Sequence, residues 1–163
     1  MKRFIVAIML LVSIVLAEKS DVLKKGLVDL KGWEAEEAEG MSMNMGGMKM
    51  TNAMREYTKG DQEFYVTIMV GTNTMTQGQM PQTDFETETG KMHVKEIKGF
   101  KVYQMFDKKE KTGAIVIYME KNETEGGFMM FSFQNMTPEK AFELSEDFDW
   151  KKINNTIEGL LKK

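Results

Sequence analysis

Residues 48–70 read MKMTNAMREYTKGDQEFYVTIMV, and this stretch decides the fold. Its two arms, Met48 to Thr58 and Glu63 to Val70, flank Lys59-Gly60-Asp61, and the second arm concentrates Phe64, Tyr65, Val66, Ile68 and Val70. Aromatic and β-branched side chains suit a pleated, half-buried surface, and a short glycine-containing break reverses the chain, so the stretch predicts a β-hairpin. Downstream, strands are predicted at Met92 to Ile97, Phe100 to Phe106, Ala114 to Glu120 and Gly127 to Phe133. Lys98-Gly99, Lys108 to Gly113 and Asn122 to Gly126 supply the turns. Between the hairpin and these strands, Gly71 to Gly90 is polar, holds Pro81 and predicts a long loop, whose length marks a place to look for function.

Helices are expected on either side of the strands. From Ser20 to Leu30, Val22, Leu23, Leu27, Val28 and Leu30 recur at helical spacing behind a Ser20-Asp21 start, with Gly26 as the weak point. Trp33 to Glu39 has helical propensity but only seven residues, too few to decide by themselves. Thr137-Pro138 gives an N-cap followed by proline at the first helical position, which opens a helix to about Glu146. Asp147-Phe148-Asp149-Trp150 then caps a last amphipathic helix reaching Leu161. The expected architecture is one α+β domain over residues 18–163. An antiparallel sheet of about six strands carries an N-terminal helix and C-terminal helices packed on it.

The first 17 residues have a different character. Lys2 and Arg3 precede an apolar run from Phe4 to Ala17, and Val15-Leu16-Ala17 ends on the small residue a signal peptidase needs, so 1–17 is expected to be a secretory signal peptide. The expected location is periplasmic or secreted, with no integral membrane segment after cleavage, since a bilayer crossing takes about 20 apolar residues.

Composition narrows the function. The 163 residues are 42% apolar and carry a formal charge of -3; without the signal segment, 20 basic against 25 acidic side chains leave -5. An acidic domain whose largest basic cluster is Lys108, Lys109 and Lys111 is a poor match to nucleic acid. The chain has no Cys, which removes disulfides, thiolate metal sites and a thiol nucleophile. The single His93 excludes a two-histidine zinc site within one chain. No Ser lies in a Gly-x-Ser-x-Gly turn, and Gly71 to Gly78 lacks the Gly-Lys-Thr/Ser ending of a phosphate loop. No catalytic constellation emerges, and an enzyme is the least expected class.

Methionine is the outlier, with 17 in the chain. The run Met41-Ser42-Met43-Asn44-Met45-Gly46-Gly47-Met48-Lys49-Met50 alternates methionine with polar residues about a Gly-Gly pair, the signature of a two-residue hairpin turn. In that register Met45 faces Met48 and Met43 faces Met50, with Met41 next along on the same face. Opposed Cβ atoms would lie about 5 Å apart. Soft thioethers favour Cu(I) or Ag(I). His93 is a further candidate donor, Trp33 a candidate π-face, and Glu34 to Glu39 an attractive field. The same spacing also fits a half-buried hairpin, because methionine fills irregular cores without metal. Arg55, the only arginine after the signal segment, is expected to pair with a carboxylate.

Two resemblances add to this reading. The layout from Gly32-Trp33 through the hairpin to Ile97-Lys98-Gly99-Phe100, the basic turn and Phe131-Ser132-Phe133 resembles the small exported α+β proteins of the PsbP and Mog1-like class. That resemblance implies a binding or assembly role rather than chemistry. The Met-x-Met spacing looks like the methionine-rich sites of periplasmic copper and silver carriers. The candidate metal ligands are therefore Met41, Met43, Met45, Met48, Met50 and His93. The expected function is a non-catalytic exported binding or assembly module whose partner is a Cu(I) or Ag(I) ion, an envelope protein or a hydrophobic ligand.

Overall fold

The structure is a computed structural model that describes residues 19–72, 81–120 and 125–162. The expected signal peptide lies outside them. In chain order the elements are α1 (described over 19–24), β1 (Glu34–Ala35), β2 (Glu39–Met45), β3 (Met48–Lys59), β4 (Gln62–Thr72), β5 (Phe85–Glu86), β6 (Gly90–Ile97), β7 (Phe100–Asp107), β8 (Thr112–Glu120), β9 (Glu125–Gln134), α2 (Pro138–Ser145) and α3 (Trp150–Leu161). The strands form one antiparallel sheet in the order β1-β3-β4-β9-β8-β7-β6-β5, with β2 pairing β3 beside β1. The α+β class holds. The sheet has nine strands, however, not about six.

The six expected strands are β3, β4, β6, β7, β8 and β9. The three others are β1 and β5, of two residues each, and β2. The two-residue strands exist only through pairing with a longer neighbour, which a local reading of propensity does not register, whereas β2 contains the first arm of the expected Met41–Met50 hairpin. Trp33 to Glu39 is accordingly not a helix: Glu34 and Ala35 pair with Thr58 and Tyr57. The loop expected over Gly71 to Gly90 is interrupted by β5, and its residues 73–80 lie outside the described residues.

The N-terminal helix also stops earlier than expected. Side chains from β3 capture the carbonyls that a longer helix would use. Arg55 Nη1 donates to Leu27 O at 3.0 Å, Arg55 Nε to Glu36 O at 2.8 Å, and Tyr57 Oη to Val28 O at 2.8 Å. Gly26 sits where the chain crosses the sheet closely, since a Cβ there would lie 3.0 Å from both Ile68 and Ile153. Arg55 also meets Asp29 at 2.7 Å and stacks on Tyr57. Burial pushes the Tyr57 hydroxyl up to about 12.

The C-terminal helices form as their caps dictate. Thr137 accepts from Lys140 N with Pro138 in the first turn, and Asp149 accepts from Lys152 N. Helix α3 buries Trp150, Ile153 and Ile157, each contributing about 1.5–3 kcal/mol or more in transfer free energy. Phe148 packs edge-on against Phe131 at 5.2 Å, and Phe131 stacks on Phe64 at 5.7 Å. Among the described residues no helix is long and apolar enough to cross a membrane.

The helices cover one face of the sheet. The main core joins α1, α2 and α3 to Ala53 and Tyr57 of β3, Phe64, Val66, Ile68 and Val70 of β4, and the inward residues of β7, β8 and β9. The alternate residues face the other way. There a second, smaller cluster gathers Met92, Tyr103, Val116 and Tyr118, with Val94, Met105, Phe128 and Met130 packed around it. Tyr103 is fully buried, and among the described residues its hydroxyl has no hydrogen-bond partner.

Three measurements test this packing. Arg55→Ala removes two bonds to backbone carbonyls together with packing on Tyr57, and should lower unfolding stability by about 2 kcal/mol. Asp29, which is 86% exposed, should cost about 0.5 kcal/mol or less when changed to Ala; equal losses would refute the view that the carbonyl bonds dominate. Because folding raises the Tyr57 pKa, its contribution is intact below the ordinary value near 10 and is lost as pH rises through about 12. Denaturation monitored across that window should show falling stability in the native protein and a shallower fall in Tyr57→Phe. Tyr103→Phe removes an unsatisfied buried hydroxyl, so its melting temperature should equal or exceed that of the native protein.

Candidate functional site

The methionine hairpin forms because Gly46 and Gly47 both take positive φ, +60° and +84°, which a type I′ turn demands at both positions. The register is Met45 with Met48, Asn44 with Lys49, Met43 with Met50, Ser42 with Thr51, and Met41 with Asn52. The placement of the Met45 side chain lies outside the described residues. The turn is tied to β4: Lys49 N donates to Thr72 Oγ1 at 3.0 Å, and that hydroxyl donates in turn to Gly47 O at 3.5 Å.

The direction of the side chains follows from the strand period. Gly40, on β2, faces α1, since a Cβ there would lie 2.7 Å from Ser20. Its neighbours Glu39, Met41 and Met43 therefore face away from the helices. Across β3, Met48, Met50, Asn52, Met54 and Glu56 share that helix-free side. Met41, Met48 and Met54 are 54%, 43% and 42% exposed. Met43 and Met50 are half-buried, and none of these five belongs to either core cluster. Met41, Met43, Met48, Met50 and Met54 thus line a surface.

Carboxylates border them. Glu39 pairs directly with Met54. Glu36, Glu37, Glu39, Met54, Glu56 and Tyr65 line a cavity of about 310 Å³ together with Arg55 and Thr67. Tyr65 Oη lies 3.1 Å from Glu63 Oε2 and 3.2 Å from Glu56 Oε1, which share its one proton, and the two carboxylates push its pKa up to about 12. The bordering field favours a cation.

Two expected members are elsewhere. His93 lies on β6, which β4, β9, β8 and β7 separate from β3. Its Nδ1 meets Asp84 Oδ2 at 2.9 Å, and Val94 N donates to Asp84 Oδ1 at 2.7 Å. Those bonds hold the Asp84 carboxyl below the usual range. His93 instead lines a cleft of about 420 Å³ with Lys91, Lys95 and Phe142, on the helix-covered side. Trp33 packs against Phe64 at 6.3 Å in the main core. Neither is near the hairpin tip, so no nitrogen donor from His93 and no π-face from Trp33 joins the methionines.

Sequence reasoning missed Met54 and Met69. Met54 follows Met50 at period two along β3, and Met69 is placed beside Asn52 by the β3–β4 ladder. A Lys59–Gln62 pair closing on Gly60-Asp61 would have given both. Through Met69 the helix-free face continues to Phe128 and through Thr67 to Met130, beyond which Tyr118 and Val116 are buried in the second cluster.

The described residues contain no group of three or more His, Asp or Glu side chains able to hold a metal. A hard divalent cation has no donor set here, whereas thioethers in cross-strand pairs suit a soft monovalent ion. Compared with known proteins, the chain matches no family model, no curated protein and no solved structure.

Proposed function

We propose that this chain is a non-catalytic exported binding module whose ligand is Cu(I) or Ag(I), held by the thioethers of the β2–β3 hairpin. One observation carries the reading: Met41, Met43, Met48 and Met50 stand on the helix-free side of an ordered hairpin, outside both core clusters. Opposed Cβ atoms in such a pair are about 4.5–5.5 Å apart, and three torsions per side chain let the sulfurs converge on one ion. The carboxylates around Met54 raise the local cation concentration without competing as soft ligands. His93 and Trp33 drop out of the set. Export to an oxidising compartment agrees with a soft-metal site built without cysteine.

A metal-free reading, in which an envelope protein or a hydrophobic ligand covers the helix-free face, draws on the half-buried Met69, Phe128 and Met130 farther along that face. The two readings put weight on different residues.

Changing Met43, Met45, Met48 and Met50 together to Leu nearly conserves volume and should cost about 1.5 kcal/mol or less per site. The thioethers are lost. Anaerobic titration against a chromogenic Cu(I) chelator should show metal binding by the native protein and by His93→Gln, and none by the Leu variant. Saturating metal, at about 100 times its dissociation constant, should stabilise the native fold by about 2.7 kcal/mol and raise its melting temperature. If the native protein fails to compete at micromolar chelator, roughly -8 kcal/mol on the affinity scale, the metal reading is overturned.

A further inference from the structure

We infer that the cleft between β6, β7 and α2 is a second binding site, for a small organic carboxylate with an apolar body. Lys91 and Lys95 hold its charged end, and Ile97, Phe106 and Phe142 receive the body. The cleft lies on the helix-covered side, away from the methionines, and does not depend on the soft-metal reading.

The cleft forms where the cover of helices runs out. Helix α2 packs over β7, β8 and β9, and β6 lies outside them in the sheet. Met92 and Val94 of β6 belong to the second cluster, on the helix-free face, so alternation sends Lys91, His93, Lys95 and Ile97 to the helix side. Across the ladder Lys91 pairs with Phe106 and His93 with Gln104. Together with α2 these residues enclose about 420 Å³, a volume suited to a small molecule.

Its walls divide by chemistry. Ile97, Phe106 and Phe142 are half-buried at the rim of the main core, and a ligand body laid on them removes further apolar surface from water. Lys91 and Lys95 stand two positions apart on one strand face, about 6.8 Å along it. Among the described residues neither ammonium has a hydrogen bond or an ion pair, and the Gln104 amide is also without a partner.

The carboxylates on the helix side are already engaged. Glu143 meets Lys140 at 3.0 Å. Glu139 accepts from its own backbone N–H and from Thr137, and these bonds, followed by the field of Lys91 and Lys95, hold its carboxyl below the usual range. The two lysines therefore remain as the charges open to a ligand. Beside them Asp84, from the long polar segment before β6, uses both oxygens on His93 Nδ1 and Val94 N. That orients the imidazole and leaves Nε2 as a further polar group in a cleft that His93 lines. An anion on Lys91 and Lys95 also reaches a donor in the Gln104 amide. An inorganic anion would leave the apolar wall uncovered, which favours a carboxylate with a body.

Titration of the isotope-labelled native chain with octanoate, followed by amide NMR, tests the inference. Octanoate should shift the Gln104 side-chain amide and the backbone amides of Lys91, His93 and Phe142 in a saturable way, and leave those of Met41 to Met50 in place. Octanol keeps the body without the charge, and inorganic phosphate keeps charge without the body. Each should bind about tenfold more weakly or worse, the scale of one lost charge-assisted contact. Lys91→Gln combined with Lys95→Gln should keep the native circular dichroism, because both ammonium groups are unpaired, and weaken octanoate by about tenfold or more. Ile97→Ser, on the opposite wall, should weaken octanoate while leaving phosphate unchanged. No saturable shift at the cleft overturns the site. Octanol binding as well as octanoate, or a double lysine variant of native affinity, overturns the lysines as its anchor. Phosphate binding as well as octanoate, or native affinity in Ile97→Ser, overturns the apolar body.

Discussion

Strand β3 sits between two ladders, and the register of those ladders determines which side chains meet the helices and which do not. Its odd residues Thr51, Ala53, Arg55 and Tyr57 lie on the side where α1 and the following segment pack. Its even residues Met50, Asn52, Met54 and Glu56 lie on the other. Strand side chains alternate with a period of two, so a slip of one residue would carry Tyr57 out of the core and Met54 into it. Two tight turns prevent that slip. Gly46-Gly47 fixes β2 against β3, and Gly60-Asp61 fixes β3 against β4.

Arg55 extends the same constraint beyond the sheet. By holding the carbonyls of Leu27 and Glu36 and the carboxylate of Asp29, it ties the irregular segment after α1 to the middle of β3. The carbonyls matter more than the ion pair, because Asp29 is solvated and its attraction is screened. Residues 27–36 have too little regular structure to place themselves. Their position depends on side chains reaching out from an already ordered strand.

What could be read from the sequence follows from the range of the interactions involved. The hairpin turns, the long strands, and the Thr137 and Asp149 caps depend on neighbours a few residues apart, and those appear where the sequence puts them. β1 and the early end of α1 depend on β3 residues up to 29 positions away, and β5 on a nearby strand, in each case through capture by one particular neighbour, which no local pattern records. The site divides in the same way. The Met43–Met50 and Met45–Met48 pairings were legible because one turn fixes them. The separation of His93 from the hairpin was not, because it depends on β9 inserting between β4 and β8.

The use of methionine on β2 and β3 needs an explanation other than strand formation. Where this chain packs strands under helices it uses Val66, Ile68, Val70, Ile115 and Ile117, residues that suit a pleated, buried surface. Met119 and Met129 do lie in that core, where a flexible side chain fills irregular space. Met41, Met48 and Met54 have no such space to fill, since each is more than two-fifths exposed. A mobile thioether at a strand surface gives up the β-branched residue's packing and still incurs the exposure of an apolar side chain. Repeating that choice at alternate positions on both arms of one hairpin, on the side away from the helices, is what the proposed soft-metal site would account for, through a property that methionine has and valine lacks. Its sulfur is a soft donor that stays uncharged and needs no deprotonation before it binds a metal.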